Sequence, residues 1–308
     1  MTKLLAITGG VGGAKLALGL SRILNKDEVL FLVNTGDDFE HLDLQISPDI
    51  DSLLYAMSEI NNTELGWGRK DETWNFINTI EELGGESWFK LGDRDLALHT
   101  IRTILLKSGL DLYETTKHLS KALKVSHEIV PMTNDPVRTT VNTTKGKLSF
   151  QEYFVREQCR PQVLDFEFSG IDEATANPIA ISWAESCDGI IICPSNPYVS
   201  VDPILKVPGY LEIFKSKPII AVSPIVGGIA IKGPAAKMMK ELGVPPTPLA
   251  VAEHYGGLIS GLILDQTDSI QAKDIPIPSI VTQTIMVTLK DRIDLANECV
   301  KFLEELTR

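Results

Sequence analysis

A short apolar segment that runs directly into four closely spaced glycines is the feature that most constrains the fold of this chain. The segment spans residues 4–8, and from residue 16 onwards leucines and isoleucines recur at helical spacing. The glycines between them are Gly9, Gly10, Gly12 and Gly13. A strand, a glycine turn and a helix in this order direct backbone N–H groups and the positive end of the helix dipole at an anion. The sequence therefore predicts a phosphate-binding βα unit.

This glycine turn differs from both common phosphate-binding motifs. Gly10 and Gly12 match the first two glycines of G-x-G-x-x-G, but Lys15 occupies the position of the third. No Gly-Lys-Ser/Thr follows, so the turn is not a P-loop. The alternative is a tight turn between a buried strand and its crossover helix, and four glycines within five positions favour phosphate binding over it.

The composition indicates a globular protein. The chain has 308 residues, 44% hydrophobic and 23% charged, and we expect one α/β domain over residues 1–308. Its net charge of -12 argues against a nucleic-acid partner, because phosphate backbones require a basic surface. No apolar run approaches the roughly 18 to 20 residues of a membrane span, and no signal peptide is recognised. We therefore expect no membrane partner. The four cysteines lack C-x-x-C spacing, so we expect them to be reduced and the protein to be cytoplasmic.

Apolar runs separated by helical patterns recur along the chain. They lie at residues 4–8, 29–33, 189–193, 218–222 and 258–264. This alternation is typical of a Rossmann-like α/β fold, with a mostly parallel sheet and helices on both faces. Three runs end in polar loops, at residues 9–13, 34–38 and 194–197. Because ligands bind at the carboxyl ends of parallel strands, we expect these loops to meet in one crevice.

Two segments stand outside this alternation. Residues from about 129 to 170 are expected to form an inserted β subdomain, in which residues 137–143 and 147–153 flank a turn at Lys145-Gly146 as in a hairpin. Residues 290–306 have the pattern of an amphipathic helix that closes the chain.

Acidic residues are concentrated near the predicted crevice. Asp37 and Asp38 follow the second apolar run, where a Rossmann fold often places an acid for ribose hydroxyls, and metal binding is the rival interpretation. Ser47 predicts a helix start, and Asp49 and Asp51 in its first turn favour the helix dipole. Four acids exceed what capping requires, and hard carboxylate oxygens suit a Mg2+ ion shared with a diphosphate. Because Asp49 and Asp51 are two positions apart, we expect only one to face the ligand.

Two further segments carry chemistry. Trp67 and Trp74 flank a polar loop beginning at Leu65, and their rings either offer a stacking surface for a flat ring system or cap the edge of the core. Residues 90–95 read Lys-Leu-Gly-Asp-Arg-Asp and precede an apolar-periodic helix. The lysine and arginine beside two aspartates either clamp a phosphate or form a salt-bridge knot.

Eight sequence blocks, in the same order along the chain, resemble the 2-phospho-L-lactate transferase family, which makes the deazaflavin coenzyme F-420. The blocks lie at residues 9–15, 33–38, 46–52, 90–95, 131–135, 150–153, 194–197 and 223–228. The resemblance implies a Rossmann-like fold, a Mg2+ requirement and a homodimer. It also implies a reaction in which the terminal ribityl hydroxyl of the deazaflavin Fo attacks a guanylylated phospho-acid and releases GMP.

The resemblance also implies roles for individual residues. Asp51 and Lys90 match the deazaflavin-contact positions, and Asp51 is the candidate to orient or deprotonate the attacking hydroxyl. The nucleotide side matches Gly9, Gly10, Gly12, Gly13, Lys15, Asn34, Ser195 and Asn196. We infer Asp37 and Asp51 as the Mg2+ ligands. Whether Asp51 is a metal ligand or a base stays open, because one carboxylate does not easily serve as both.

The donor acid and two alternative functions stay open at this point. The donor acid is 2-phospholactate, phosphoenolpyruvate or a phosphoglycerate, and the loops at residues 39–44 and around Trp67 resemble bacterial members of the family. The main alternative function is a non-catalytic relative that binds nucleotide sugars and shares the glycine turn and the block at residues 34–38. An NAD-dependent oxidoreductase is a weaker alternative, because the third glycine of its motif is missing.

Overall fold

The computed structural model of the protein describes residues 3–62 and 66–307; Leu65, at the start of the predicted aromatic loop, lies outside these residues. The strands are β1 (Leu4–Thr8), β2 (Val29–Val33), β3 (Phe39–His41), β4 (Leu44–Ile46), β5 (Glu128–Pro131), β6 (Arg138–Thr143), β7 (Gly146–Ser149), β8 (Val163–Ser169), β9 (Gly189–Ile192), β10 (Ile219–Val222), β11 (Ile225–Val226), β12 (Ile229–Ala230), β13 (Gly261–Asp265) and β14 (Ser279–Thr282).

The α-helices lie mainly between strands of the central sheet. They are α1 (Gly10–Ile23), α2 (Pro48–Met57), α3 (Asn75–Glu82), α4 (Asp93–Lys107), α5 (Leu112–Ala122), α6 (Pro178–Ser186), α7 (Asp202–Lys206), α8 (Tyr210–Phe214), α9 (Ala235–Glu241), α10 (Pro248–Tyr255) and α11 (Leu289–Leu306). Shorter 3-10 or π turns cover Glu152–Arg156, Ile171–Glu173, Pro197–Val201, Gly256–Leu258 and Gln266–Asp274. No helix in the described part of the chain is long and apolar enough to cross a membrane.

The central sheet has seven parallel strands within the described residues, in the order β14-β13-β10-β9-β1-β2-β5. The chain runs outward from β1 through β2 to β5 and later returns to β9 on the other side of β1. The direction of winding therefore changes between β1 and β9. In sheets of this kind, ligands bind in the crevice outside the carboxyl ends of the strands at such a switch point.

Both faces of the sheet are covered by helices. On β1, Leu4 and Ala6 pack into a buried cluster with α1, α2 and α11, whereas Leu5 and Ile7 pack into a second cluster with α6, α8 and α10. This alternation follows from the two-residue period of a strand. The predicted Rossmann-like α/β fold with helices on both faces is confirmed.

The last predicted sheet strand is shorter than its apolar run. Residues 258–264 were expected to be extended throughout, but the strand β13 begins at Gly261. Residues Gly256–Leu258 instead form a 3-10 turn directly after α10, at the tandem glycines 256 and 257. The closing helix agrees with its prediction and spans Leu289–Leu306.

The insertion differs from its predicted bounds in two ways. Residues Glu128–Pro131 form an edge strand of the central sheet that pairs with β2, so the separate three-stranded antiparallel sheet, β7-β6-β8, begins only at Arg138. The hairpin turn is present, but its second arm ends at Ser149 rather than at residue 153. Ser149 and Glu152 bond each other's backbone N–H groups, in the pattern of a capping box, and this starts a helical turn.

Candidate active site

A cavity of about 590 Å³ lies at the carboxyl ends of the central strands. Loops that follow β1, β2, β9, β10 and β14 line it, together with the start of α2 and the insertion. The three polar loops predicted to converge all contribute residues to this cavity. It therefore occupies the crevice that the topology favours for a ligand.

The glycine turn forms one wall of the cavity. The Gly9 N–H donates to Ser195 Oγ at 3.1 Å, and the Gly10 N–H donates to Asp49 Oδ1 at 2.6 Å. The next two N–H groups, of Val11 and Gly12, have no carbonyl partner within α1, because the first turn of a helix leaves its donors free. Both residues line the cavity, so these donors are available to an anion.

Backbone geometry explains two of the glycines. Gly10 has a φ of +67°, which side chains rarely tolerate, and a Cβ on Gly12 would lie 2.5 Å from the Pro194 carbonyl oxygen. Gly13 does not line the cavity; a Cβ there would meet Thr8 and Ser195 instead. The glycine turn therefore serves close packing as well as an exposed N–H wall.

The other predicted nucleotide-side residues fall into two groups. Lys15, Ser195 and Asn196 line the cavity, and Lys15 Nζ donates to the Met286 carbonyl at 2.9 Å. Burial, followed by the charge of a nearby arginine, lowers the pKa of Lys15. Asn34 is fully buried behind the cavity wall, where its side-chain amide donates to Asp49 Oδ2 at 2.9 Å. Asn34 thus acts on the site through Asp49.

Three buried carboxyl groups lie near the predicted metal site, those of Asp37, Asp38 and Asp49. Burial, reinforced by the charge of Asp49, raises the pKa of Asp37 well above its usual value. Burial also raises the pKa of Asp49 to about 6 and that of Asp38 to about 7. Asp37 and Asp49 line the cavity, whereas Asp38 accepts a hydrogen bond of 2.7 Å from Ser47 Oγ. Ser47 precedes α2 as predicted, but its hydroxyl bonds Asp38 instead of capping the helix.

The chemistry of Asp37 and Asp49 fits a Mg2+ ion. Oδ1 of Asp37 is buried and has no hydrogen-bond partner among the described residues. Residues 3–62 and 66–307 contain no group of three or more His, Cys, Asp or Glu side chains that could hold a metal. Mg2+ at a phosphate site commonly takes one or two carboxylates and completes its shell with phosphate oxygens and water. Two buried carboxyl groups beside the glycine turn offer ligands of this type.

Asp51 has a different partner from Asp49. Arg102 donates through Nη1 to Asp51 Oδ2 at 3.0 Å and through Nη2 to the other carboxylate oxygen. Both Asp49 and Asp51 line the cavity, contrary to the expectation that only one faces it. The cavity surrounds the N-terminal end of α2, so residues on more than one side of its first turn reach it.

The segment at residues 90–95 mainly takes part in capping the starts of two helices, α3 and α4. Asp93 accepts a hydrogen bond of 3.0 Å from the Phe76 N–H at the start of α3. In return, Glu72 accepts bonds of 2.8 and 2.9 Å from the N–H groups of Arg94 and Asp95 at the start of α4. Lys90 takes no part in these capping bonds. It is half exposed, lies 3.9 Å from Glu81 and lines the cavity.

Aromatic residues line part of the cavity, and we call them the aromatic wall; they are Trp67, Phe89, Phe150 and Phe154. Phe150 and Phe154 stack with ring centroids 5.6 Å apart and planes 12° from parallel. Trp74 touches Trp67 edge-on but does not line the cavity. The sequence did not single out the two stacked phenylalanines as site residues, although the capping-box signal that begins at Ser149 marks the turn carrying them.

Comparison with known proteins identifies the family. A family model described as 2-phospho-L-lactate transferase CofD matches residues 4–284. The chain belongs to the 2-phospho-L-lactate transferase family. A 2-phospho-L-lactate transferase of Methanocaldococcus jannaschii is 36% identical over 304 residues, covering 97% of this chain and 98% of that protein. A phosphoenolpyruvate transferase of Streptomyces coelicolor is 33% identical over 315 residues, covering 99% of each.

The fold of this family member also has a solved counterpart. A UPF0052-family protein of Bacillus halodurans superposes with a TM-score of 0.64 at 15% identity, covering 97% of this chain and 99% of that one. At this identity the likeness concerns the fold alone. The family assignment confirms the predicted family and shows that this 2-phospho-L-lactate transferase family member is an enzyme of the transferase class.

Proposed function

We propose that this enzyme transfers a phospho-acid from its guanosine diphosphate conjugate to the terminal ribityl hydroxyl of the deazaflavin Fo, in the biosynthesis of coenzyme F-420. The ribityl hydroxyl releases its proton to solvent, and its oxygen forms a bond to the phosphorus of the phospho-acid. The bond from that phosphorus to the bridging oxygen breaks, and GMP leaves with the bridging oxygen. The acid is a three-carbon phospho-acid of the phospholactate, phosphoenolpyruvate or phosphoglycerate class.

The observation that carries the proposal is the mixed lining of one cavity. The lining includes Val11 and Gly12, whose N–H groups lie in the first turn of α1, and also four aromatic rings. Backbone N–H groups at a helix N-terminus suit a diphosphate, and aromatic faces suit a planar deazaflavin. A volume of about 590 Å³ lies within the range of ligand pockets. A site with these two halves supports a reaction between a nucleotide conjugate and a flat ring system.

The nucleotide half is built from two segments of the chain. The glycine turn faces the diphosphate, and Lys15 adds a positive charge at the same wall. Ser195 and Asn196, which follow the neighbouring strand β9, offer polar side chains for the edges of the nucleoside. The preference for guanine rests on the family resemblance.

Asp37 and Asp49 are the residues that would hold a Mg2+ ion. Asp37 and Asp51 were the predicted pair, and the ion pair between Asp51 and Arg102 supports Asp49 in place of Asp51. When bound, Mg2+ would neutralise charge that develops on the transferring phosphate. Asp37 and Asp49 would hold the ion; burial raises the pKa of both carboxyl groups, and the charge of Asp49 adds to the rise at Asp37.

Asp51 and Lys90 serve the acceptor half. Asp51 would accept a hydrogen bond from the ribityl hydroxyl: the family resemblance matches it to a deazaflavin-contact position, and it lines the cavity. Orientation of the hydroxyl and neutralisation of phosphate charge account for most catalysis in phosphoryl-type transfer. Lys90 lies nearer the exposed edge of the cavity and offers a positive charge to the acceptor.

A direct transfer assay tests the function. The enzyme is mixed with Fo, Mg2+ and each of the three guanylylated phospho-acids, and the products are separated by chromatography with fluorescence and mass detection. We expect GMP and the phospho-acid ester of Fo in equal amounts with at least one donor. Absence of both products with all three donors would overturn the proposal.

A ligand-stabilisation series separates this function from the two alternatives. A ligand that binds only the folded state raises the melting temperature. We expect GDP with Mg2+ to raise it, and NAD and UDP-N-acetylglucosamine at the same concentration to have little effect. A shift with the UDP-sugar and none with GDP would favour the regulatory alternative, and a shift with NAD alone would favour the oxidoreductase. The predicted homodimer is tested separately by sedimentation of the purified enzyme.

A further inference from the structure

A fully buried arginine stands behind Asp51. Arg102 lies in the third turn of α4, has no exposed surface, and grips both carboxylate oxygens of Asp51. A buried guanidinium is costly unless its charge is paired and its N–H groups are bonded. Two parallel hydrogen bonds from a planar fork also remove the rotational freedom of the carboxylate. The pair therefore fixes the direction in which Asp51 faces the cavity.

His99 supports this arginine from the same helix. Its Nδ1 lies 3.1 Å from Arg102 Nη1, and because a guanidinium only donates, Nδ1 is the acceptor and the ring proton lies on Nε2. Nε2 lies 3.3 Å from Asp95 Oδ1, close enough for electrostatic attraction although too poorly aligned for a good hydrogen bond. The Tyr55 hydroxyl donates to the same oxygen of Asp95. The contacts thus run without interruption from Tyr55 to Asp51.

We call this group the Arg102 cluster; it consists of Tyr55, Asp95, His99 and Arg102. Spacings of three and four residues place the three α4 members on one face of that helix. Tyr55 lies on α2, one turn after Asp51, so the cluster joins the two helices that border the acceptor side of the cavity. Side chains locked by packing on regular helices hold a neighbouring group more accurately than loop residues do.

We propose that the Arg102 cluster positions the Asp51 carboxylate for its contact with the acceptor hydroxyl. This inference rests on the proposed function, in which Asp51 orients the ribityl hydroxyl toward phosphorus. A displacement of about 1 Å in a reacting group can lower the rate roughly 100-fold. Arg102 does not line the cavity and acts on the acceptor through Asp51, whereas Tyr55, Asp95 and His99 also line the cavity. A change of Arg102 therefore alters the transfer step and the acceptor KM but not the affinity for the nucleotide.

Three substitutions test the cluster. Arg102→Lys keeps the charge but cannot make two parallel bonds to Asp51. His99→Leu removes the acceptor for Arg102, whereas His99→Asn places an amide oxygen at the position of Nδ1 and retains it. Leu98→Val is the matched control, since Leu98 is a buried neighbour on α4 that does not line the cavity.

We expect the loss of activity among these variants to follow the loss of hydrogen bonds within the Arg102 cluster and to Asp51, and not the loss of folding stability. Arg102→Lys and His99→Leu should lower kcat roughly 10- to 100-fold and raise the acceptor KM, with the GDP dissociation constant within about twofold of wild type. His99→Asn should recover most of the activity that His99→Leu loses. Leu98→Val should lower the melting temperature and leave the kinetic constants unchanged.

Three outcomes would overturn the inference. The first is wild-type kcat and acceptor KM in folded Arg102→Lys and His99→Leu proteins. The second is an equal loss of acceptor and GDP affinity, which indicates a purely structural role. The third is failure of His99→Asn to differ from His99→Leu. Absence of transfer by the wild-type enzyme would instead overturn the proposed function itself. This outcome differs from the three above, in which the wild-type enzyme is active and only the inference about the Arg102 cluster fails.

Discussion

The carboxylate of Asp49 accepts a hydrogen bond of 2.6 Å from the backbone N–H of Gly10. An acid from the start of α2 thus lies at the N-terminal end of α1, where the helix dipole stabilises negative charge. The same carboxylate accepts a bond from Asn34, so loops after β1 and β2 and the helix α2 meet at one side chain. Asp49 therefore connects the predicted phosphate-binding turn with the predicted metal site.

The first prediction concerns Asp49 and Mg2+. In wild-type enzyme with GDP, we expect Mg2+ to raise the melting temperature, because the cation offsets repulsion among Asp37, Asp49 and the diphosphate. Asp49→Asn keeps an acceptor for Gly10 but removes the charge, so most of the gain with Mg2+ should disappear. Asp27→Asn, at an exposed acid remote from the cavity, is the control and should keep the full gain. An unchanged Mg2+ effect in Asp49→Asn would contradict the metal assignment.

The second prediction concerns pH and Asp38. Burial raises its pKa to about 7 from 3.8, so the folded protein holds this proton more tightly than the unfolded chain does. The stability contributed by the protonated form is complete below about pH 4 and is lost as the pH rises through about 7. We expect Asp38→Asn to resist urea better than wild type at pH 8, with a free energy of unfolding that is higher by on the order of 2 kcal/mol. At pH 4 the two proteins should differ little.

The measurement for Asp38 is urea unfolding at several pH values. Burial also raises the pKa values of Asp37 and Asp49, so the pH dependence should become shallower in Asp38→Asn without vanishing. Equal slopes of stability against pH in the two proteins would show that Asp38 is not the titrating group.

The third prediction concerns the aromatic wall. Phe154 is 38% exposed and stacks on Phe150, so it offers a ring face to the cavity. Phe154→Ala should weaken Fo binding roughly three- to tenfold, the loss of one aromatic contact. Leu164→Ala, an exposed change on β8 outside the cavity, is the control. Fluorescence titration of Fo measures the affinity, and an effect on GDP in place of Fo would place the deazaflavin elsewhere.

The fourth prediction concerns Lys90. Its half-exposed ammonium group lies at the cavity and its nearest acid, Glu81, is 3.9 Å away, so it is available to a ligand. We expect Lys90→Ala to weaken Fo binding much more than GDP binding. Lys107→Ala removes an equal charge from the exposed end of α4 and should change neither affinity. Parallel losses for both ligands would make Lys90 a general phosphate contact.

Local sequence signals account for the parts of the fold that were predicted well. The strand, glycine turn and helix at residues 4–23 are adjacent in the chain, so they could be predicted without knowledge of any long-range contact. The edge strand Glu128–Pro131 was assigned to the insertion instead of the sheet, because its four residues carry little periodicity and pair with β2 nearly 100 positions earlier. The stacked rings of Phe150 and Phe154 were missed as site residues, because a strand was expected where Ser149 and Glu152 start a helical turn.

The sequence by itself determined the chemical groups of the candidate site and the α/β alternation that brings strand ends together, because residue type and periodicity are properties of short segments. Only the tertiary structure decided how the acids divide their roles. Asp49 and Asp51 are two residues apart and identical in type, yet Asp49 is held by α1 and Asp51 by Arg102 of α4. Their difference arises from partners 39 and 51 positions away in the chain, and such contacts exist only after the helices have packed.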